Sequence, residues 1–266
     1  MPRFFLPAGN PESGFLTIIG DDAKHISFSL RMRRGERLTV CDGAGTDYDC
    51  VITDMDGQTV TVKVDAYRPS VSEMPFSVRL YQSVPKGDKF DYIVQKAVEL
   101  GIHEIVPVFS ARCIVKPDAG SEAKRTARLG KIAQEAAKQS GRGVIPRILP
   151  SVSFSEAVAR CANPNADEYA FLCYEEERAR SLKAYLGSLS GKEIGTVSFF
   201  VGPEGGYTPE EAAMALDAGI PSVKFGERIL RAETASGFVL ACLSYEFETF
   251  EPNKKSPSVV GQNSEF

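Results

Sequence analysis

The sequence predicts an α/β protein: a mostly parallel sheet flanked by helices, preceded by a small β-rich domain. Three observations predict it. The first 70 residues carry short runs that alternate polar and apolar with period two. The chain then changes to apolar strand-like runs separated by amphipathic segments. Between the two patterns lies the polar, twice-proline segment Arg68-Pro69-Ser70-Val71-Ser72-Glu73-Met74-Pro75.

In the first part, residues 15–19, 37–41, 48–53 and 59–64 read as strands. Thr59-Val60-Thr61-Val62-Lys63-Val64 places its valines on one face. Asp42-Gly43 and Asp56-Gly57 are turn dipeptides between such runs. A short helix is expected near residues 25–31. The double-proline segment sets domains at 1–70 and 71–250. Residues 251–266 hold little to bury and are expected to be a disordered tail.

In the second part, residues 78–84 and 105–109 read as strands. Between them Asp88 is placed to cap a helix that Gly101 closes, with Ile93, Val94, Ala97 and Val98 on one face. A long basic helix over 123–140 ends at Gly141. Ser153 and Glu156 have the spacing of a capping box. The apolar runs 169–174 and 196–201 read as buried strands, as parallel sheets covered on both faces require. Thr208 caps the next helix, with Pro209 at its first position and Gly219 beyond its end. Residues 222–225 form the last strand, and Thr234 is expected to cap a closing helix that runs to 250.

Composition excludes several classes. No apolar run approaches the roughly 20 residues that cross a bilayer, and the first residues lack the apolar stretch of a signal peptide. A cytoplasmic protein without membrane contact is expected. Cys41, Cys50, Cys113, Cys161, Cys173 and Cys242 form no C-x-x-C pair, and His25 and His103 are too few for a histidine-rich metal centre. Buried, reduced thiols and no metal are expected. The net charge is −4, yet residues 112–147 hold nine Lys/Arg and three Asp/Glu. A basic segment on an otherwise acidic chain suits a phosphate backbone; a solvated basic helix face is the plainer reading.

Ligands of an open α/β sheet bind beyond the carboxyl ends of its strands. Two loops there are unusual. Gly202-Pro203-Glu204-Gly205-Gly206 leaves strand 196–201, and its glycines permit close backbone approach and positive φ. The helix beyond it offers free N–H groups. The loop has neither dinucleotide nor P-loop spacing. The second loop spans residues 226–235, Gly226-Glu227-Arg228-Ile229-Leu230-Arg231-Ala232-Glu233-Thr234-Ala235. Ile229 and Leu230 either wall a flat apolar ligand or plug the core beneath.

These two loops resemble the knot motifs of the SPOUT methyltransferases. The chain more closely resembles the RsmE family, which methylates uridine N3 in small-subunit ribosomal RNA. The resemblance runs from Arg3-Phe4-Phe5 to about residue 250. It includes His25, Leu30-Arg31 and Gly35, then Lys86-Gly87-Asp88-Lys89, Gln95-Lys96-Ala97-Val98-Glu99-Leu100-Gly101 and Glu135-Ala136-Ala137-Lys138-Gln139-Ser140-Gly141-Arg142. One departure is Leu129 in the basic helix, where the family often has Trp; this chain has none.

The resemblance implies a PUA-like β-barrel domain, a trefoil-knotted SPOUT domain, an obligate homodimer, and S-adenosylmethionine as cofactor without a metal. It implies a cofactor site from Leu172, Gly202, Pro203, Glu204, Gly205, Gly206, Phe225, Gly226, Ile229, Leu230, Arg231, Thr234 and Ala235. Arg231 is the candidate for stabilising the uridine anion. Glu233 is the candidate proton acceptor or orienter, with a simple Arg231–Glu233 pair as the alternative. Contacts to small-subunit ribosomal RNA, free or in the assembled subunit, are expected from Arg3, Arg31, Arg33, Arg34, Lys86, Lys96, Gln139 and Arg142. Rival readings are a SPOUT enzyme for another base or a ribose 2′-hydroxyl, and a non-catalytic RNA-binding assembly factor. His25 and His103 are read as structural.

Overall fold

The computed structural model describes residues 1–6, 14–114, 119–162 and 164–248. They fall into two compact units. One holds Met1–Glu73 with Ala137–Ile145; the other holds Met74–Ala136 and the described residues from Pro146 onward. The expected tail, 251–266, lies outside the described residues.

The first unit is a five-stranded sheet. Its strands are β1 (Arg3–Phe5), β2 (Phe15–Ile19), β3 (Arg37–Cys41), β4 (Thr46–Met55) and β5 (Thr59–Pro69), in the order β1-β3-β4-β5-β2. Period-two patterning works here because one face is buried: Val60, Val62 and Val64 join Ile18, Leu38 and Ile52 in the core. The short helix starts earlier than expected: α1 (Gly20–Lys24) runs into a π-helical turn, His25–Ser29, which alone falls within 25–31. Its Ile26 enters the same core, and His25 lies edge-on to Phe4, as a packing histidine does. Strand β1 carries too few residues to show periodicity and was not expected.

Residues 137–145 join this unit through backbone pairing. Gly45 N–H donates to Gly143 O (3.1 Å), and Ile145 N–H to Gly43 O (3.2 Å). Arg142 is then buried, its side chain 2% exposed and ion-paired with Glu73. Glu73 also accepts from the Gly143 and Val144 N–H groups at 2.8 and 3.1 Å. A buried pair is weak evidence of net stabilisation, but removing one partner strands the other charge. Arg142→Ala is therefore expected to cost about 3 kcal/mol, read as a lower urea midpoint for a probe in the first unit. An unchanged midpoint would show the pair to be dispensable.

The second unit is built on a seven-stranded sheet in which every strand pairing is parallel. Its strands are β6 (Ser77–Ser83), β7 (Glu104–Phe109), β8 (Arg147–Ile148), β9 (Val152–Ser153), β10 (Glu168–Cys173), β11 (Thr196–Val201) and β12 (Ser222–Val223). The path β12-β10-β11-β6-β7-β8 leaves β9 paired to β7. Helices α2 (Lys89–Glu99), α3 (Ala119–Ser140), α4 (Phe154–Cys161), α5 (Leu182–Gly187), α6 (Pro209–Asp217) and α7 (Ala232–Phe247) connect and flank the strands. The core centres on Tyr81 stacked on Phe200 at 4.4 Å, with Phe154 and Tyr207.

Both local cap signatures form. Ser153 and Glu156 make a reciprocal box at α4, and Thr208 and Glu211 make one at α6. Two expected caps do not. Asp88 precedes α2 without a side-chain cap, and Thr234 lies inside α7, which begins three residues earlier than expected with Arg231 at its N-cap position. Helix α5 and strands β8 and β9 are too short to register in a periodic pattern. His103 sits in the α2–β7 turn, where its Nδ1 accepts from the Val78 N–H at 3.2 Å. All six cysteines are free thiols; five are buried and Cys242 is half-buried.

Candidate functional site

Three neighbouring strands, β12, β10 and β11, end on the same side of the parallel sheet. Their loops surround a cavity of about 680 Å³, which is of small-ligand size. The loop after β11 contributes Gly202, Pro203, Glu204 and Gly206; the loop after β12 contributes Phe225, Gly226, Ile229, Leu230 and Arg231, with Ala235 from the first turn of α7. Both loops singled out in the sequence therefore line one space. A third comes from β10, through Tyr174, Glu175, Glu176 and Arg178.

Three expected cofactor residues lie off this wall. Leu172 is fully buried in the core beside Tyr81 and Phe200. Side chains alternate along a strand, so its neighbour Cys173 faces the cavity instead. Burial pushes the Cys173 thiol well above its ordinary range, which keeps it a neutral wall residue. Gly205 turns away from the cavity and gives its carbonyl to Arg112 Nη1 at 2.7 Å. Thr234 is exposed within α7.

Gly206 shows that the loop needs a residue without a side chain. Its φ is +68°, and an added Cβ would lie 2.1 Å from Glu175 Oε1. The space a side chain would need is taken by the Glu175 carboxylate, so loop backbone and carboxylate form this part of the wall together. The α6 N-terminus, first expected to supply free donors, spends them on its own capping box: Thr208 Oγ1 accepts from the Glu211 N–H at 3.2 Å. The α7 N-terminus has no side-chain cap, and its Ala232 lines the cavity.

Lys89 is the main residue that sequence reasoning missed. It lies in the Lys86-Gly87-Asp88-Lys89 block, where the sequence alone assigns it no role. Its Nζ donates to Glu204 Oε1 at 2.7 Å and lies 4.0 Å from Glu233 Oε2. One ammonium thus bridges both loops. The Glu204 hydrogen bond holds the Lys89 ammonium above its ordinary pKa. Burial pushes the Glu204 carboxyl up, but donation from Lys89 and the Lys86 N–H outweighs it and leaves that carboxyl below its ordinary value. Both groups are charged at neutral pH. Glu233 does not line the cavity; its Oε2 is buried with no hydrogen-bond donor. Among the described residues it pairs with Lys89, not Arg231. Arg231 is exposed at the cavity edge. The Glu175–Glu176 loop could have been found from the rule that led to the other two, because it too follows the carboxyl end of a strand.

The expected RNA contacts divide. In the first unit Arg31, Arg33, Arg34 and Gln139 are exposed, with Arg34 ion-paired to Asp54. Arg3 is instead held by Asp47, Gly141 O (2.8 Å) and Ser70 Oγ (3.1 Å). Arg3 and Arg142 are thus committed inside their own unit, and buried Arg142 offers no charge to a phosphate. In the second unit Lys86 is exposed, while Lys96 is half-buried and bound to Glu99 at 2.8 Å. Among the described residues no group of His, Cys, Asp or Glu is placed to hold a metal ion, and no helix is long and apolar enough to cross a membrane.

Comparison with known proteins agrees with this architecture. Residues 72–244 match the family described as RNA methyltransferase domain, and residues 18–65 the one described as RNA methyltransferase PUA domain. The chain is 31% identical over 252 residues to ribosomal RNA small subunit methyltransferase E of Bacillus subtilis, covering 93% of this chain and 98% of that protein. The Neisseria gonorrhoeae protein of the same name, solved bound to S-adenosyl methionine, aligns with a TM-score of 0.79 and 33% identity, over 92% of this chain and 97% of the other. A Legionella pneumophila protein solved with the bound cofactor SAM aligns at 0.76 and 26% identity, over 91% and 96%. With the PUA-type sheet, the parallel sheet and the glycine-lined cavity in the same order along the chain, this protein belongs to the ribosomal RNA small subunit methyltransferase E family.

Proposed function

We propose that this protein is an S-adenosylmethionine-dependent methyltransferase that modifies N3 of a uridine in small-subunit ribosomal RNA, as a metal-free homodimer in the cytoplasm. The observation that carries the reading is the cavity at the ends of β10, β11 and β12, with side-chain-free Gly206 in its wall and Arg231 at its edge. In this reading residues 1–70 form the RNA-reading PUA-like domain and 71–250 the SPOUT domain. The loops over 202–206 and 226–235 are the knotted ones.

When bound, S-adenosylmethionine supplies an electrophilic methyl group on a sulfonium. The glycine loop takes the cofactor beside its backbone, and Phe225, Ile229 and Leu230 supply apolar wall for its adenine. Arg231 reaches from the edge toward the uridine carbonyls and stabilises the anion left when N3 loses its proton. That proton passes to solvent at the cavity mouth. Glu233 acts at one remove as an orienter: it faces Lys89, which in turn holds Glu204 of the glycine loop. Positioning of this kind supplies much of the rate when the chemistry is a simple in-line displacement.

Helix α7 supports the dimer. It buries Val239, Leu240 and Leu243 on one side, yet Phe238, Ala241 and Tyr245 are exposed on another. A helix apolar on both faces calls for a second partner. The arginines at 31, 33 and 34 support RNA docking. Reversing charge at Arg33 and Arg34 together is expected to weaken RNA binding about tenfold or more at low salt and to reduce the salt slope by about 2. An unchanged slope across a salt series would remove this patch from the interface.

The activity itself is tested by incubating the protein and S-adenosylmethionine with small subunits lacking this modification, then analysing the nucleosides by mass spectrometry. N3-methyluridine is expected. A 2′-O-methylated nucleoside or another methylated base would overturn the assigned position.

A further inference from the structure

One carboxylate in the cavity wall has no part in the mechanism above. Glu175 is the second residue of the loop after β10, and its Oε1 occupies the space that a Cβ on Gly206 would need. The carboxylate of this exposed residue therefore rests over the backbone of the glycine loop, in the cavity lining. The other lining carboxylates are committed. Glu204 receives Lys89 at 2.7 Å, Glu227 receives Lys224 at 3.2 Å, and Glu176 accepts from the Tyr174 hydroxyl at 3.1 Å. Among the described residues Glu175 makes no hydrogen bond and no ion pair.

An unpaired carboxylate in a ligand cavity is matched best by a cation. We infer that Glu175 anchors a cationic centre of the cofactor and sets the enzyme's preference among adenosine ligands by charge. The inference rests on the methyltransferase reading. S-adenosylmethionine carries two such centres, the sulfonium and the ammonium of its amino-acid end. In methyl transfer the S–CH₃ bond breaks, its electron pair stays on sulfur, and a neutral thioether remains; the ammonium is unaltered. A carboxylate beside the sulfonium favours the methyl donor over the spent product and speeds product release. A carboxylate beside the ammonium holds both equally.

Calorimetric titration of the full-length protein and its Glu175→Gln variant with three probes separates these cases. S-adenosylmethionine has both cations, S-adenosylhomocysteine the ammonium alone, and 5′-methylthioadenosine neither. Loss of a charged hydrogen bond weakens binding about ten- to hundredfold. A loss of that size for S-adenosylmethionine, with methylthioadenosine unchanged, is the expected result. If S-adenosylhomocysteine falls too, the anchored centre is the ammonium; if it does not, it is the sulfonium. Equal losses for all three probes, or no loss for any, overturn the anchor while leaving the cofactor site intact. Wild-type protein that binds none of the three overturns the methyltransferase reading, and the anchor with it.

Discussion

Replacing Gly206 by valine abolishes binding of S-adenosylmethionine, with an expected loss of at least about a hundredfold in affinity. Two effects combine. The backbone there has φ of +68°, a region that β-branched residues avoid. The new side chain would also displace the Glu175 carboxylate, which lies where the Cβ must go. Gly205 next door behaves differently. Its Cβ would meet only the Arg112 side chain, at 3.3 Å from Cβ and 3.4 Å from Cδ, and its φ is not positive. Gly205→Ala should bind the cofactor within about threefold of wild type, since its backbone needs no glycine and the Arg112 stem it meets lies outside the cavity lining. Calorimetry on both variants, with circular dichroism to verify folding, makes the comparison. Equal affinities in the two variants would mean that the cradle at Gly206 does not hold the cofactor.

The second large effect falls on turnover. Arg231→Ala is expected to lower kcat about 10²- to 10³-fold, the usual consequence of removing a donor aimed at developing negative charge, while cofactor affinity stays within a few-fold. The side chain can be removed without damage to the fold. Arg231 is exposed, and it opens α7 through its backbone alone, with φ −65°, ψ 154° and no side-chain cap. Arg231→Lys should recover only part of the rate, because an ammonium keeps the charge but loses the planar fork that can engage two acceptors. Single-turnover assays with saturating cofactor separate chemistry from binding. A rate within about fivefold of wild type in Arg231→Ala would take this residue out of the reaction.

The two loops that matter most were legible because their residue types are physically unusual. A glycine-rich run at the end of an apolar strand, and two apolar residues between charges, both stand out against ordinary connections. What they do to each other was not legible. Arg231 and Glu233 are two residues apart and invite a mutual pair, yet Glu233 turns toward Lys89, more than a hundred positions earlier in the chain. The strand carrying Leu172 was recognised, but which of its faces meets the cavity depends on what packs against each face. The core takes Leu172 and the cavity takes Cys173.

Arg3 and Arg142 teach the same lesson about charge. In the sequence both arginines lie in blocks that carry the family resemblance and read as phosphate ligands. In the fold Arg142 meets Glu73 and Arg3 meets Asp47, so those charges are already answered. Of the eight expected RNA contacts, Arg31, Arg33, Arg34, Gln139 and Lys86 are exposed.

By itself the sequence determined what depends on local chemistry. This covers the period-two strands of the first unit, the apolar strands of the parallel sheet, the capping boxes at Ser153 and Thr208, and the two unusual loops that line the cavity. Each follows from neighbours in the chain, through side-chain alternation, donors satisfied three residues away, or the freedom of glycine. Only the tertiary structure decided which loops share a cavity, that Lys89 ties them together, that Glu175 fills the space Gly206 leaves open, and that residues 137–145 pair with the β3–β4 turn. Those outcomes depend on groups brought together from distant parts of the chain, where burial and charge pairing outweigh any local preference.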